Sequence, residues 1–369
     1  MPRVVVSASN DLSNDQRVHK VCSSLEQAGW EVLLIGRLRS DSVPLNRSYA
    51  TRRLRLWFDK GFAFYAELNV RLFWTLLFVR ADAFHANDLD TLLPNFLCAR
   101  LRRKPLTYDT HEYFLGVPEL LNRPRVRAVW AGIERWIFPK LEAVFTVNNS
   151  ISELYASDYG VRPHVVRNIP LSQTGPMERA SRADWGLNET DYLLINQGTG
   201  INVDRGMEEL LEALVGVSSD VHLLLVGKGD VLPALKERAE YLGLKQRVHF
   251  VPPRSYEAMM QLTRMADLGV SLDKDTNINY RFSLPNKLFD YIRAGLPVLV
   301  SDLPEVAKVV RDYSIGSIVQ DHRPETLARA IEQMRTQGKQ PYAEALMRAS
   351  EALHWESEVE PMLERYRAL

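Results

Sequence analysis

Short apolar runs alternate with amphipathic segments along the first half of the chain. The runs predict buried strands at residues 4–9, 31–36, 83–86, 106–111, 143–148 and 164–168. Between them, apolar residues recur at helical spacing, which predicts helices at 16–29, about 91–101, 124–141 and about 150–158. This alternation is typical of a parallel sheet wrapped by helices.

The same alternation restarts in the second half. It predicts strands at 192–198, 222–230, 247–253, 268–273 and 297–302, with helices at 207–217, up to 242, 255–265 and 285–294. Residues 169–185 contain Pro, Ser and Gly and predict a linker. The fold class is therefore α/β, with two Rossmann-like parallel-sheet domains at 1–169 and 170–353. We expect the domains to face each other across a cleft at the carboxyl ends of their strands.

Composition agrees with two globular domains. The chain has 369 residues, 46% hydrophobic and 25% charged, which excludes disorder, collagen and coiled coil as its main state. No apolar stretch approaches the roughly 20 residues that span a bilayer, and we expect MPRVVVSASN to form a short buried strand and not a secretory signal. Cys22 and Cys98 provide neither a disulfide framework nor zinc spacing. We expect a cytoplasmic protein.

Charge is divided unevenly although the net charge is zero. Residues 1–170 contain 23 Lys and Arg against 17 Asp and Glu, and the remainder contains 23 against 29. Residues 65–80 and 122–140 also mix Arg with Trp, Phe and Leu, as helices at a membrane interface do. An anionic membrane surface, a lipid phosphate or nucleic acid would suit the first half. The alternatives are a chance asymmetry of the surface and helices packed on the core.

Residues 279–305 contain the strongest candidate site. Ser283 is the predicted N-cap of a short helix, and the backbone N–H groups after Ser283 and Leu284 would favour a phosphate. Lys287 adds a charge in the first turn. Asp290 lies about 9 Å along the helix from Leu284, which is the reach from a phosphate to the ribose of the same nucleotide. The alternative is a capped core helix with a surface Lys–Asp pair.

Two turns in the second half contain glycines. GTGINVDRG (198–206) joins a strand to a helix, and its Arg205 is suited to clamping a diphosphate. The alternative for that turn is a flexible loop with a solvated Arg. LLLVGKGD (223–230) lacks the third glycine of a dinucleotide fingerprint, so a tight turn is favoured over an NAD site.

TYDTHEYF (107–114) ends a predicted strand of the first half in polar residues. Asp109, His111 and Glu112 cluster there, and His111 is suited to act as an acid, a base or a hydrogen-bond donor. The alternative is a His–carboxylate pair that ties a loop. Arg17, before the first helix, would face an anionic group or lie on a solvated helix face.

HANDLDTLLP (85–94) contains a D-x-D pair, Asp88 and Asp90. That spacing holds a divalent metal in one class of sugar transferase. Here the pair lies between a strand and a helix, so we favour helix capping by Asp88 and predict no metal site.

In this order and spacing, the segments resemble the family 4 glycosyltransferases, retaining enzymes of the GT-B architecture. The resemblance is strongest in SLPNKLFDYIRAGLPVLVSDLPE and is supported by RGMEELLEAL, LLLVGKGD, RVHFVPP and the YDTHE element. It implies a nucleotide-sugar donor bound mainly by the second domain and an acceptor bound mainly by the first. It also implies that a terminal helix, about 354–369, returns to the first domain.

The resemblance also implies roles for individual residues. Asp290 matches the second acid of the family's E-x7-E motif, which holds the ribose. Ser283 and Leu284 match the backbone that meets the distal phosphate. Arg205 matches the Lys of the Arg/Lys pair that binds the diphosphate, and His111 matches a His near the reaction centre.

Two positions depart from the family pattern. Phe282 stands where the first acid of E-x7-E is expected, and Thr199 stands where the Arg of the diphosphate pair is expected. The missing acid favours one alternative, a non-catalytic nucleotide-binding module. An epimerase or a phosphorylase of the same architecture would also fit the pattern, and a dehydrogenase is the weakest contender.

The resulting prediction is a retaining, metal-independent glycosyltransferase of bacterial surface polysaccharide or glycoconjugate assembly, peripheral on the inner face of the membrane. It would use a nucleoside-diphosphate sugar and a sugar or lipid-linked acceptor, with no cofactor and no nucleic acid. The nucleotide, sugar, acceptor and linkage are left open. The predicted catalytic residues are His111, Arg205 and Lys287. The predicted substrate-binding residues are Asp290, Ser283, Leu284, Asn286, Gly198, Thr199, Asp109, Glu112 and Arg17.

Overall fold

The computed structural model describes residues 1–13, 15–172 and 178–369. These residues form two compact units. The first comprises Met1–Asn168 together with Trp355–Leu369, and the second comprises Ile169–His354. The predicted linker, 169–185, includes residues 173–177, which lie outside the described residues.

The first unit contains a seven-stranded sheet. Its strands are β1 (Arg3–Asp11), β2 (Glu31–Leu38), β3 (Ala50–Arg55), β4 (Ala83–Asn87), β5 (Leu106–Thr110), β6 (Ala143–Thr146) and β7 (His164–Val165). Its helices are α1 (Gln16–Gln27), α2 (Gly61–Phe78), α3 (Leu89–Arg102), α4 (Pro118–Leu121), α5 (Pro124–Ile137) and α6 (Asn149–Tyr159). The strand order is β3-β2-β1-β4-β5-β6-β7, and all pairs are parallel.

The second unit contains a six-stranded sheet. Its strands are β8 (Tyr192–Gly198), β9 (Val221–Gly227), β10 (Val248–Val251), β11 (Leu268–Ser271), β12 (Val298–Ser301) and β13 (Gly316–Val319). Its helices are α7 (Met207–Ala213), α8 (Leu232–Tyr241), α9 (Tyr256–Met265), α10 (Ile278–Arg281), α11 (Asn286–Arg293), α12 (Pro304–Tyr313), α13 (Pro324–Gln337) and α14 (Ala343–Ala352). The order is β10-β9-β8-β11-β12-β13, again all parallel.

The central strands are continuous apolar runs because helices cover both faces of each sheet. Val4, Val5 and Val6 are all fully buried although neighbouring residues point to opposite faces. Val5 packs in the cluster that includes Leu72 of α2, whereas Val4 and Val6 pack in the cluster under α1. The predicted α/β class is therefore confirmed.

The last two helices, α15 (Trp355–Glu358) and α16 (Glu360–Arg367), complete the core of the first unit. The Trp355 indole N–H donates to Ser24 Oγ at 2.9 Å. The Tyr366 hydroxyl lies 2.9 Å from His85 Nδ1 and 2.7 Å from Thr107 Oγ1. Burial lowers the pKa of His85 to about 4, so this internal network is uncharged at neutral pH.

Strand order places one switch point in each sheet. The chain moves outward in opposite directions from β1 and β4 in the first unit, and from β8 and β11 in the second. Ligands of such sheets bind outside the carboxyl ends of the strands at these points. The segments that follow these four strands are therefore the places to look for chemistry.

Candidate functional site

The loops that follow β8 and β9 touch through their backbones. A Cβ on Gly227, whose φ is +136°, would lie 1.8 Å from the Gly198 carbonyl oxygen, and one on Gly229 would lie 1.8 Å from that of Ile201. The Lys228 N–H donates to Gly198 O at 3.2 Å. These glycines serve loop packing, which confirms the tight turn favoured for 223–230.

Arg205 lies at the switch point of the second sheet. Gly206, with a φ of +72°, precedes α7, and a Cβ there would lie 2.3 Å from the Leu272 carbonyl oxygen just after β11. This contact brings Arg205 beside Asp273, with which its guanidinium forms an ion pair. The guanidinium also stacks 4.0 Å from the centroid of the Tyr280 ring. Because its side chain is only 24% exposed, the alternative of a solvated Arg205 is wrong.

Asp273 is the centre of a cluster with two cations. Its buried carboxylate accepts a hydrogen bond from Ser283 Oγ at 3.3 Å in addition to the Arg205 ion pair. Burial lowers the pKa of Lys287, an effect that Asp273 opposes and Arg205 reinforces. Arg205 Nε and Asp273 Oδ1 are buried without a hydrogen-bond partner among the described residues. Two cations, one anion and unsatisfied polar atoms make this cluster suited to an anionic ligand.

The helix that carries Lys287 begins later than predicted. Pro285 is its N-cap, and α11 starts at Asn286, so the prediction of Ser283 as the N-cap is wrong. The Ser283 N–H donates to Tyr280 O at 3.1 Å, and its hydroxyl goes to Asp273 instead. The first N–H groups of α11, from Asn286 and Lys287, have no intrahelical partner by geometry and lie next to the cluster in sequence.

Leu284 and Thr199 flank the cluster in sequence without joining its polar contacts. The Leu284 side chain packs against the core of the second unit. Thr199 is exposed, and it directly follows Gly198 at the end of β8. Their predicted contacts with the donor remain predictions.

Asp290 belongs to a second polar network. Its Oδ2 accepts from Gln197 Nε2 at 3.1 Å, and its Oδ1 accepts from the Tyr256 hydroxyl at 2.9 Å. Thr263 Oγ1 donates to Gln197 Oε1 at 2.6 Å. Asp290 is buried, so the alternative of a surface pair with Lys287 is wrong. Each carboxylate oxygen has a second lone pair, and contact with a ribose remains a prediction.

Arg17 and Asp109 are joined to each other inside the first unit. Arg17 Nε and Nη2 donate to the two Asp109 oxygens at 2.9 and 2.7 Å, and Nη1 donates to Val166 O at 2.7 Å. Burial acts to raise the pKa of Asp109, but Arg17 and His111 outweigh it and hold that pKa below its usual value. Both side chains are buried, and their predicted contacts with a substrate remain predictions.

His111 lies between two carboxylates. Its Nδ1 is 3.2 Å from Asp88 Oδ2, its backbone N–H donates to Asp88 Oδ1 at 2.9 Å, and its Nε2 is 3.5 Å from Asp109 Oδ2. Burial acts against protonation, but these carboxylates prevail and raise the pKa of His111 to about 9. The imidazolium is 23% exposed and cationic at neutral pH, which suits a hydrogen-bond donor rather than a base.

Asp88 supports His111 instead of capping α3. Its carboxylate makes no capping hydrogen bond, so that prediction is wrong, and it adopts a φ of +57° that is uncommon outside glycine. Burial and the neighbouring Asp88 raise the pKa of Asp90 to about 7. Within the described ranges, no group of three or more His, Cys, Asp or Glu is arranged to hold a metal ion.

Glu112 lies beside this cluster. Its side chain is exposed, and its carbonyl oxygen accepts from Thr110 Oγ1 at 2.8 Å. Its predicted contact with a substrate remains a prediction.

The sequence interpretation missed Asp273 and Tyr280. Asp273 was the last residue of a predicted strand, 268–273. A polar residue at a strand end was a signal that the sequence offered, but only the strand order places that end beside the β8 loop. Tyr280 gave no signal in the sequence. Its ring meets Arg205 only because the chain between β11 and α11 folds back toward the α7 turn.

Comparisons with known proteins match both units to glycosyltransferases. Residues 16–171 match the model of Glycosyltransferase Family 4, and residues 177–351 match that of Glycosyl transferases group 1. The D-inositol 3-phosphate glycosyltransferase of Rhodococcus erythropolis is 29% identical over 231 residues, which cover 59% of this chain and 51% of that protein. The chain thus spans about half the length of the curated relatives it matches.

Solved structures share the whole fold. The sucrose-phosphate synthase of Thermosynechococcus elongatus has a TM-score of 0.78 and 17% identity, and the match covers 100% of this chain and 99% of the other. Anabaena Alr3699/HepE in complex with UDP and glucose has a TM-score of 0.77 and 15% identity, and the match covers both chains completely. The chain therefore belongs to the family 4 glycosyltransferases and has the GT-B fold.

Proposed function

We propose that the protein transfers a sugar from a nucleoside-diphosphate sugar to an acceptor hydroxyl, with retention at the anomeric carbon and without a metal. The cluster of Arg205, Asp273 and Lys287 at the β8–β11 switch point is the observation that carries this proposal. Its excess positive charge and its buried unsatisfied atoms suit a diphosphate. The UDP bound in the Anabaena protein of the same fold supports a nucleotide-sugar donor.

In this mechanism the bond from the anomeric carbon to the leaving diphosphate breaks, and a bond to the acceptor oxygen forms on the same face. The acceptor proton passes to the departing diphosphate. Negative charge grows on the leaving group, where Arg205, Lys287 and the N–H groups at the start of α11 stabilise it. Fixed cations would thus supply the stabilisation that a metal gives elsewhere.

Two further residues position the substrates. Asp290, fixed by Gln197 and Tyr256, would accept hydrogen bonds from the ribose hydroxyls. His111, held as a cation by Asp88 and Asp109, would position the sugar or the acceptor through its positive charge.

A thermal-shift panel tests the proposal with UDP, GDP, ADP, CMP and NAD, each with EDTA and again with magnesium. We expect one nucleoside diphosphate to raise the Tm equally in both conditions, because a ligand of the native state alone stabilises it. No shift with any diphosphate, or a shift with NAD alone, would overturn the donor site. A second assay uses the matching sugar donor. Product that forms only when an acceptor is present separates the transferase from an epimerase or an inert binding module, and NMR of the product shows whether the anomeric configuration is retained.

We also propose that the acceptor is met at an anionic membrane surface, through what we call the aromatic face of the first unit. Its exposed residues are Trp57, Phe62, Val70, Trp74, Phe78, Leu101 and Trp136. Trp57 is 82% exposed and Phe78 is 78% exposed. They lie on the segment before α2 and on α2, α3 and α5. Among the described helices, none has the length and apolarity to cross a bilayer.

Ring contacts link the three helices. Phe96 of α3 packs edge-on against Trp136 of α5 at 5.4 Å, and Tyr65 of α2 packs edge-on against Trp130 of α5 at 5.2 Å. Within α2, Trp74 stacks on Phe78 at 6.0 Å. Cations lie over the rings, with Arg71 4.6 Å from the Trp57 ring. Exposed aromatic rings among Arg and Lys suit the interface of an anionic bilayer.

Replacing Trp74 with glutamate should reduce binding to vesicles about tenfold or more. The change removes an aromatic anchor, worth about 1.5–3 kcal/mol when buried, and adds a charge of the wrong sign. Co-sedimentation measures vesicle binding. The vesicles are phosphatidylcholine, either alone or with about 30% phosphatidylglycerol to give a negatively charged surface. Val215→Glu, at a second-unit site that is similarly exposed (56% against 55%), is the control. Equal losses in both variants, or no preference for the anionic vesicles, would contradict the assignment.

A further inference from the structure

A pocket of about 430 Å³ lies within the first unit, and neither His111 nor the carboxylates that fix it are among its lining residues. Its walls come from three segments: one face of α5, the end of α6, and the segment that follows His111. The volume is in the range of sites that bind small molecules. None of the roles assigned above uses it.

The α5 wall alternates large cations with small residues. Arg127, Ala131 and Arg135 line the pocket at spacings of four residues, which places them on one helix face. The small Ala131 side chain leaves space between the two arginines, whose Cα atoms lie about 12 Å apart along the helix axis. Arg127 Nε donates to Leu115 O at 3.0 Å, which fixes one end of that side chain. Arg135 forms no ion pair with any residue in the described part of the chain.

Two tyrosines that also line the pocket are held in place by hydrogen bonds from their hydroxyl groups. The Tyr159 hydroxyl donates to the buried Glu134 Oε2 at 2.7 Å, and its ring lies 4.9 Å from that of Phe138. The Tyr113 hydroxyl donates to Asp158 Oδ2 at 2.6 Å. Such fixed rings offer faces against which a sugar ring packs, and the Asp158 carboxylate is an acceptor for sugar hydroxyls.

We propose that this pocket binds the acceptor of the transfer reaction through a phosphate-bearing sugar or sugar-like headgroup. Arg135 would bind the phosphate, the rings of Tyr113 and Tyr159 would flank the sugar, and Asp158 would accept from its hydroxyls. Guanidinium is the side-chain group whose fork matches phosphate, and two guanidinium groups outnumber the single carboxylate here. The assignment of this ligand as an acceptor rests on the proposed function. The binding itself does not, because it needs no donor.

A phosphorylated sugar can reach the pocket free or as a lipid headgroup, and two probes separate these sources. Glucose 6-phosphate at millimolar concentration, compared with glucose and with inorganic phosphate, tests the free form by NMR titration of the full chain. Vesicles of phosphatidylcholine with phosphatidylinositol, compared with phosphatidylglycerol at equal charge, test the headgroup. Saturable binding of glucose 6-phosphate that exceeds that of both comparators, or preference for phosphatidylinositol, supports the site. If both effects are absent, the site is overturned.

Substitutions locate the binding. Arg135→Gln should weaken binding of the preferred probe about tenfold, because it removes a charged contact with the phosphate. Arg125→Gln is the matched control, because Arg125 is an exposed residue of the same helix about 200° around its axis from Arg127. Ala131→Phe fills the pocket without changing charge and should also abolish binding, with the Tm reporting that the chain still folds. Equal weakening by Arg125→Gln and Arg135→Gln would show nonspecific attraction and overturn the site.

Failure here is distinguishable from failure of the proposed function. The nucleotide panel reports on donor binding and requires no acceptor. A chain that binds a nucleoside diphosphate but neither phosphorylated probe keeps its donor site and loses this acceptor site.

Discussion

Replacement of Arg205 by alanine should lower kcat for sugar transfer roughly 10²–10³-fold, the usual effect of removing one fixed group that stabilises developing charge. The guanidinium is the cation that Gly206 brings against the end of β11, where it pairs with Asp273 and stacks on Tyr280. Lys287 and Ser283 remain beside Asp273 in the variant, so the chain should still fold. Release of nucleoside diphosphate from the donor that the nucleotide panel identifies measures the rate.

Arg281→Ala is the control for this variant. Arg281 lies one residue from Tyr280, but its side chain is 54% exposed and pairs with Asp275 at 2.9 Å. An exposed pair of this kind contributes about 0–1 kcal/mol, so turnover should stay near the wild-type value. Arg205→Lys should recover only part of the rate, because lysine supplies the charge without the planar fork. Wild-type turnover in Arg205→Ala would remove Arg205 from the mechanism.

Replacement of Gly206 by alanine should destabilise the protein by about 3 kcal/mol and weaken diphosphate binding. The substitution would force a Cβ to within 2.3 Å of the Leu272 carbonyl oxygen, a backbone atom that moves only with β11. A left-handed φ alone costs about 1 kcal/mol in alanine, and the steric clash adds about 1–3 kcal/mol. Moving this turn would also separate Arg205 from Asp273. Urea unfolding measures the first effect, and titration with the diphosphate measures the second.

Gly243→Ala isolates the contribution of backbone conformation. Gly243 has the same φ of +72°, and a Cβ there would meet no atom within 4 Å. This variant should lose about 1 kcal/mol and bind the diphosphate normally. If the two variants were equally destabilised, the contact between the α7 turn and β11 would not be what positions Arg205.

The buried strands of the fold were predictable because they follow from local chemistry. Residues 4–9 form part of β1 because strands covered on both faces are continuous apolar runs, as Val4, Val5 and Val6 show. β3 was missed because it is an edge strand. Its sequence, ATRRLR, exposes most of its side chains and leaves no apolar period.

For the candidate site, the sequence indicated individual residues and not their partners. Arg205, Lys287 and Asp290 stood out through charge and spacing near predicted strand and helix ends. Asp273 lies 68 residues from Arg205, and Asp109 lies 92 residues from Arg17. No local pattern relates residues so far apart, so the same reasoning that selected Arg17 left open whether it faced a ligand or solvent. The structure instead gives it a buried carboxylate.

The sequence by itself determined the α/β class, the family resemblance and the residue types available for chemistry, because apolar period, glycine placement and motif spacing are properties of neighbouring residues. Only the tertiary structure decided which charges meet. Strand order brings the β8 loop beside β11, so Arg205 acquires Asp273, and it brings β4 beside β5, so His111 acquires Asp88. A side chain's charge state and role depend on such neighbours and on burial, which chain folding sets across long separations.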